Sequence, residues 1–244
     1  MFNKPVVLKF YNTIRGVEKT MPIVPAKRLS YDWKKTAAQD FNQARTNSPG
    51  QTVRNIVNCT GINTLHRQGW VIRAWQDFYI KPQGIDGFTW RSPMDQKPMN
   101  DEDYIGFHGP DRLKYFKNWP KHSLRCLVKV HTGWRVKVPP GYILYQVPMF
   151  YQDENRFTAC AGSYTADVGV AYLNVPLYWH AVDSDETVAA GTPLCHLILA
   201  PDTDYGFEIL DEPDQEQETL FKIMTGSRFV RDYGSIKDFY NKLR

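Results

Sequence analysis

The chain has 244 residues, a formal charge of +4, 42% hydrophobic residues and 14% aromatics. That apolar content excludes a disordered chain, and the length suits one large β-domain with additions at its ends. The charge does not mark a nucleic-acid binder. Lysines and arginines are spread along the sequence, and the acidic residues Asp211, Glu212, Asp214, Glu216 and Glu218 offset the one basic cluster, Arg112, Lys114, Lys117, Lys121, Arg125 and Lys129.

The first residues hold no apolar stretch of the kind a signal peptide needs, and no run approaches a membrane span. Residues 6–11 read as a first strand. Pro22 and Pro25 hold Ile23 to Ala26 extended and out of regular pairing. Residues 30–44 are expected to be helical, with Ser30 as N-cap and Trp33, Ala37 and Phe41 recurring every four positions. A short helix over 58–68 should close at Gly69 in the left-handed conformation.

Residues 70–80 are the strongest strand pattern of the first half. Alternation places Trp70, Ile72, Ala74, Gln76, Phe78 and Ile80 on a core face, and Val71, Arg73, Trp75, Asp77 and Tyr79 on the other. Residues 81–122 form a turn-rich excursion with one short strand near Phe88; such connections are functional or interface-forming. Strands are expected at 124–130, 134–138, 142–147, 156–161, 168–175 and 194–199. A last strand at 205–210, a helix at 217–224 and an amphipathic helix at 235–243 complete the chain. The fold class that follows is mainly β, an antiparallel sandwich or barrel core with a few short helices in the N-terminal third and at the C-terminus. The organisation expected is an extension over 1–68, a β-core over 69–210 with its insertion at 81–122, and a helical segment over 211–244.

Catalytic patterns are sparse. Cys59, Cys126, Cys160 and Cys195 contain no C-x-x-C pair and are expected reduced, most of them buried as small hydrophobes. The six histidines lack the spacings of a metal site on one strand or helix, so no metal and no cofactor are expected. Cys195 and His196 are adjacent on a strand and point to opposite faces, which excludes a dyad between them. The carboxylate groups Asp101-Glu102-Asp103, Asp153-Glu154 and Asp183 to Glu186 sit in polar loops, where hydration is the ordinary role. No nucleophile elbow and no phosphate-cradling glycine loop occur. The aromatic faces offer more. Arg73, Trp75 and Asp77 share one predicted strand face, and rings near Arg135 and Lys137, including Tyr142 and Tyr172, are able to stack a base or sugar, fill a core or meet a partner.

Four short motifs carry a resemblance: Ile23 to Ala26, Gly69 to Asp77, the run from Trp134 through Pro139-Pro140-Gly141-Tyr142, and Gly191 to Leu197. Their order resembles uncharacterised proteins of tailed bacteriophages, which implies a viral source and a place in the host cytoplasm or the virion, without implying an activity. The second half also resembles dUTPase-like β-folds at Pro140-Gly141-Tyr142, at Gly162 to Asp167, and at Gly191 to Leu197. That resemblance implies a nucleotide site between subunits near Arg135, Tyr142, Tyr164 and Asp167. Two departures stand against hydrolysis: Asp167 is out of register, and His196 replaces the family's glutamine. Two functions are therefore expected in turn. The first is a phage structural or interaction protein that joins itself or other phage proteins; the alternative is a nucleotide-binding or nucleotide-hydrolysing protein.

Overall fold

The computed structural model describes residues 6–48, 55–94, 103–209 and 215–226. In chain order these form β1 (Lys9–Asn12), α1 (Val17–Thr20), β2 (Val24–Pro25), α2 (Asp32–Asn47), α3 (Thr60–Leu65), β3 (Trp70–Arg73), β4 (Phe78–Pro82) and β5 (Phe88–Arg91). Then come β6 (Ile105–His108), α4 (Pro110–Leu113), β7 (Leu127–Lys137), β8 (Tyr142–Val147), β9 (Phe157–Ala159), β10 (Gly162–Thr165), β11 (Val170–Trp179), β12 (Glu186–Val188), β13 (Pro193–Pro201) and α5 (Gln215–Gly226). Short 3-10 turns lie at Ala26–Arg28, Ile56–Asn58 and Ala166–Val168. The expected helix at 235–243 falls outside the described residues.

Every pairing among the described strands is antiparallel. One sheet runs β1-β7-β11-β9, with β6 also on β7; a second runs β10-β8-β13-β3-β2; a third runs β12-β4-β5. None closes on itself, so the architecture is sandwich-like rather than a barrel. One hydrophobic cluster joins them. Val128, Val136, Val175 and Leu177 come from the first sheet, Ile72, Leu144, Leu194 and Leu197 from the second, and Phe78, Ile80 and Val188 from the third.

The chain divides into two compact units, residues 1–29 with 68–203, and residues 30–67 with 204–244. The first holds all three sheets. The second contains α2, whose Trp33 and Phe41 stay half-buried, and α3, whose end brings His66 flat against the Tyr31 ring at 4.3 Å.

Several expectations are corrected. Residues 70–80 are two strands in different sheets, not one. The chain turns between them: Ala74 donates to Thr192, and Gly191 donates back to Ala74. A strand that changes sheets buries side chains of both parities, so Val71, Ile72, Trp75 and Phe78 are all interior. The expected strands at 124–130 and 134–138 are one strand, β7, that passes through a bulge opposite Tyr172 and Asn174, with Gly133 at φ 72°. Tyr31, rather than Ser30, occupies the N-cap of α2. The helix over 58–68 shortens to a 3-10 turn and α3, while Gly69 is left-handed as expected. A Cβ at Gly69 would stand 1.9 Å from the Leu197 carbonyl oxygen, so β13 leaves no room for any other residue. No strand forms over 205–209.

Candidate recognition site

The first sheet brings together residues remote in sequence. Tyr11 of β1 and Tyr172 of β11 both lie opposite Arg135 of β7. Opposed residues share a face, so Tyr-Arg-Tyr forms one row across three strands. The next row on that face is Lys9, Lys137 and Val170. The alternate residues Phe10, Val136 and Ala171 turn inward onto the core. Strand alternation therefore makes the second face an outer one, basic and aromatic.

Arg135 is the centre of this face. Its guanidinium carbon lies 4.0 Å from the centroid of the Tyr172 ring, and its Nη2 donates to the Tyr172 hydroxyl. Its Nε is buried without a hydrogen-bond partner. Tyr11, Asn12, Thr13, Arg135 and Val170 line a cavity of about 430 Å³. Asn12 is held at the margin by donating to Glu18 Oε2 at 2.8 Å. Tyr11 is 42% exposed, and Val170 45%.

The other residues expected to bind ligand are placed elsewhere. Tyr142 opens β8 opposite Pro201 and packs on the core. Tyr164 donates to Gln146 Oε1 and to the Asn174 carbonyl, and burial pushes its pKa up. Asp167 is exposed in the 3-10 turn before β11. Arg73 donates to the Pro22 carbonyl at 3.2 Å. Trp75 is buried and donates to the His131 carbonyl. Asp77 accepts from the Ala190 amide at 2.7 Å, pinning the turn before β13. Arg73, Trp75 and Asp77 thus serve three different contacts.

Two polar clusters complete the first unit. His180 sits between hydroxyls, with Ser123 Oγ 2.6 Å from Nδ1 and Thr158 Oγ1 2.8 Å from Nε2. Tyr79 donates to Asp185, which also pairs with Lys81 at 3.5 Å, while Arg91 lies over the Tyr79 ring. Cysteine thiols are held protonated where they are covered: burial pushes Cys160 up to about 11 and Cys126 up to about 12. Among the described residues no three His, Cys, Asp or Glu side chains gather as a metal site, and no helix is long and apolar enough to cross a membrane.

In the second unit, residues 204–209 run without regular structure. Tyr205, Phe207 and Ile209 are 72%, 85% and 86% exposed, alternating with Asp204, Gly206 and Glu208.

Neither a protein-family model nor a curated protein matches the sequence. Among solved structures, a dUTPase of Staphylococcus bacteriophage 80alpha matches 61% of this chain and 86% of its own, at 9% identity and a TM-score of 0.31. A dUTPase from phage phi11 of S. aureus matches the same shares at 11% identity and a TM-score of 0.32.

Proposed function

We propose that this chain is a structural or interaction protein, of phage origin as the sequence resemblance implies, that assembles with further copies of itself. The exposed alternation of Tyr205, Phe207 and Ile209 carries the reading. Three large apolar side chains at every second position are the pattern of a half-buried strand, yet all three face water. A segment of this kind is completed by adding to a sheet edge, where main-chain bonds give affinity and alternate side chains find cover. Among the described strands there are edges to receive it, since β1 and β9 border one sheet and β2 and β10 another.

Light scattering on the purified full chain tests this. A mass of two or more copies at micromolar concentration is expected, and a shift towards the monomer when Phe207→Asp and Ile209→Asp are combined, with the far-ultraviolet dichroism unchanged. A wild-type monomer at all concentrations, or a double variant that assembles as well as wild type, overturns the reading.

A further inference from the structure

We propose that the outer face of β1, β7 and β11 binds single-stranded nucleic acid. The inference is independent of self-assembly and rests on the two rows Tyr11-Arg135-Tyr172 and Lys9-Lys137-Val170.

Geometry supplies the first argument. Adjacent strands are about 4.8 Å apart and alternate residues about 6.8 Å apart along a strand. Lys9, Arg135 and Lys137 therefore stand about 5–8 Å from one another on one face. Three cations so close together attract a polyanion that carries one phosphate per nucleotide. Lys9 and Lys137 are exposed.

Aromatic surface supplies the second. Unstacked bases pack on aromatic rings and on guanidinium planes. Tyr11 offers an exposed ring, and Arg135, backed by Tyr172, offers a planar cation to the cavity. The cavity of about 430 Å³ falls in the range of small-ligand sites, so it holds one nucleoside unit while the rest of the strand follows the open face. Val170 adds apolar contact for a sugar or base. Glu18, bound to Asn12, repels phosphate at the other margin. The backbone of the ligand is thereby steered toward Lys9 and Lys137.

These features select among polyanions. A duplex keeps its bases stacked and would present only phosphates to a sheet face. An acidic peptide would use the three cations and leave the rings idle.

Fluorescence anisotropy of a labelled twelve-nucleotide oligothymidylate, with the same sequence as duplex and with polyglutamate as competitors, tests the proposal. The single strand is expected to bind at least tenfold more tightly than either competitor. Tyr11→Ala and Arg135→Ala should each weaken it roughly tenfold, the scale of one lost stacking contact, while Tyr11→Phe should bind as wild type. The exposed variant Lys137→Glu, which leaves the core untouched, should flatten the salt dependence. Polyglutamate competing as well as the oligonucleotide, with Tyr11→Ala indifferent, would assign the face to an acidic protein partner and overturn the proposal. Absence of binding to the single strand overturns it as well, whatever the light scattering shows about assembly.

Discussion

His180, half-buried, and His196, buried, are imidazoles held by hydrogen bonds. His180 lies between Ser123 and Thr158, and His196 Nε2 lies 2.6 Å from the Gln68 carbonyl oxygen. Burial lowers the pKa of both below the ordinary 6.5; at His196 the Gln68 carbonyl opposes the shift without cancelling it. Each histidine is then neutral in the fold at a pH where the unfolded chain already takes a proton. Stability is therefore full above about pH 6.5 and falls as the pH drops below it, until the folded imidazoles protonate too. The urea midpoint is expected to decrease between about pH 7.5 and 5.5, and the decrease to shrink in His180→Asn. A midpoint indifferent to pH over that window would refute this. At residue scale the sequence was legible in part. Arg135 was recognisable as a cation among rings, and Gly69 as a left-handed stop. Tyr11 was not singled out, because only the pairing of β1 with β7 puts it beside Arg135. Arg135 and Lys137 were read together among rings, but Lys9 was not joined to them, since it too reaches them only through the pairing of β1 with β7.

Among the described elements, β12 is three residues long and pairs with β4 alone. Such a strand needs an anchor, and Arg156 supplies one by donating Nη1 to the Thr187 carbonyl. Glu154 steadies that guanidinium through two oxygens. Burial works against the charge of Glu154, but the hydrogen bonds and charge of Arg156 outweigh it and hold the carboxyl below its usual pKa. The pair is well covered, at 24% and 11% exposure, so its loss is not cushioned by solvent. Arg156→Ala should cost about 2 kcal/mol and raise the amide exchange of residues 186–188 above that of β4. Unchanged exchange there would mean that β12 is held by its ladder alone. Periodicity made most strands legible, β8 to the residue, because a half-buried sheet imposes alternation. It failed at residues 70–80, where apolar residues of both parities come from a change of sheet. It failed also at 205–209, where the alternation is present and no partner strand lies among the described residues. Short β10 and β12 carry too few residues for a period to show.

The whole chain enters and leaves residues 30–67 at neighbouring points. Val24 and Pro25 of β2 pair with Val71 and Trp70 of β3, and Ala26 donates to the Gly69 carbonyl at 3.0 Å. An insertion whose ends meet can be exchanged for a short bridge. Replacing residues 30–67 by a few Gly and Ser residues should leave the first unit with a cooperative urea transition and intact near-ultraviolet dichroism. A non-cooperative product would show that the first unit depends on the second. The location of β13 has a consequence for how the protein is made. It lies between β8 and β3, so neither gains its neighbour on that side until residues 193–201 exist. A ribosome emits the chain from its N-terminus at about 5–20 residues per second. For several seconds, on that scale, the nascent chain carries two apolar strands whose inner edges are bare. The place of β13 in the order of synthesis therefore sets when the second sheet can form, and chains truncated before residue 193 carry both edges open to aggregation.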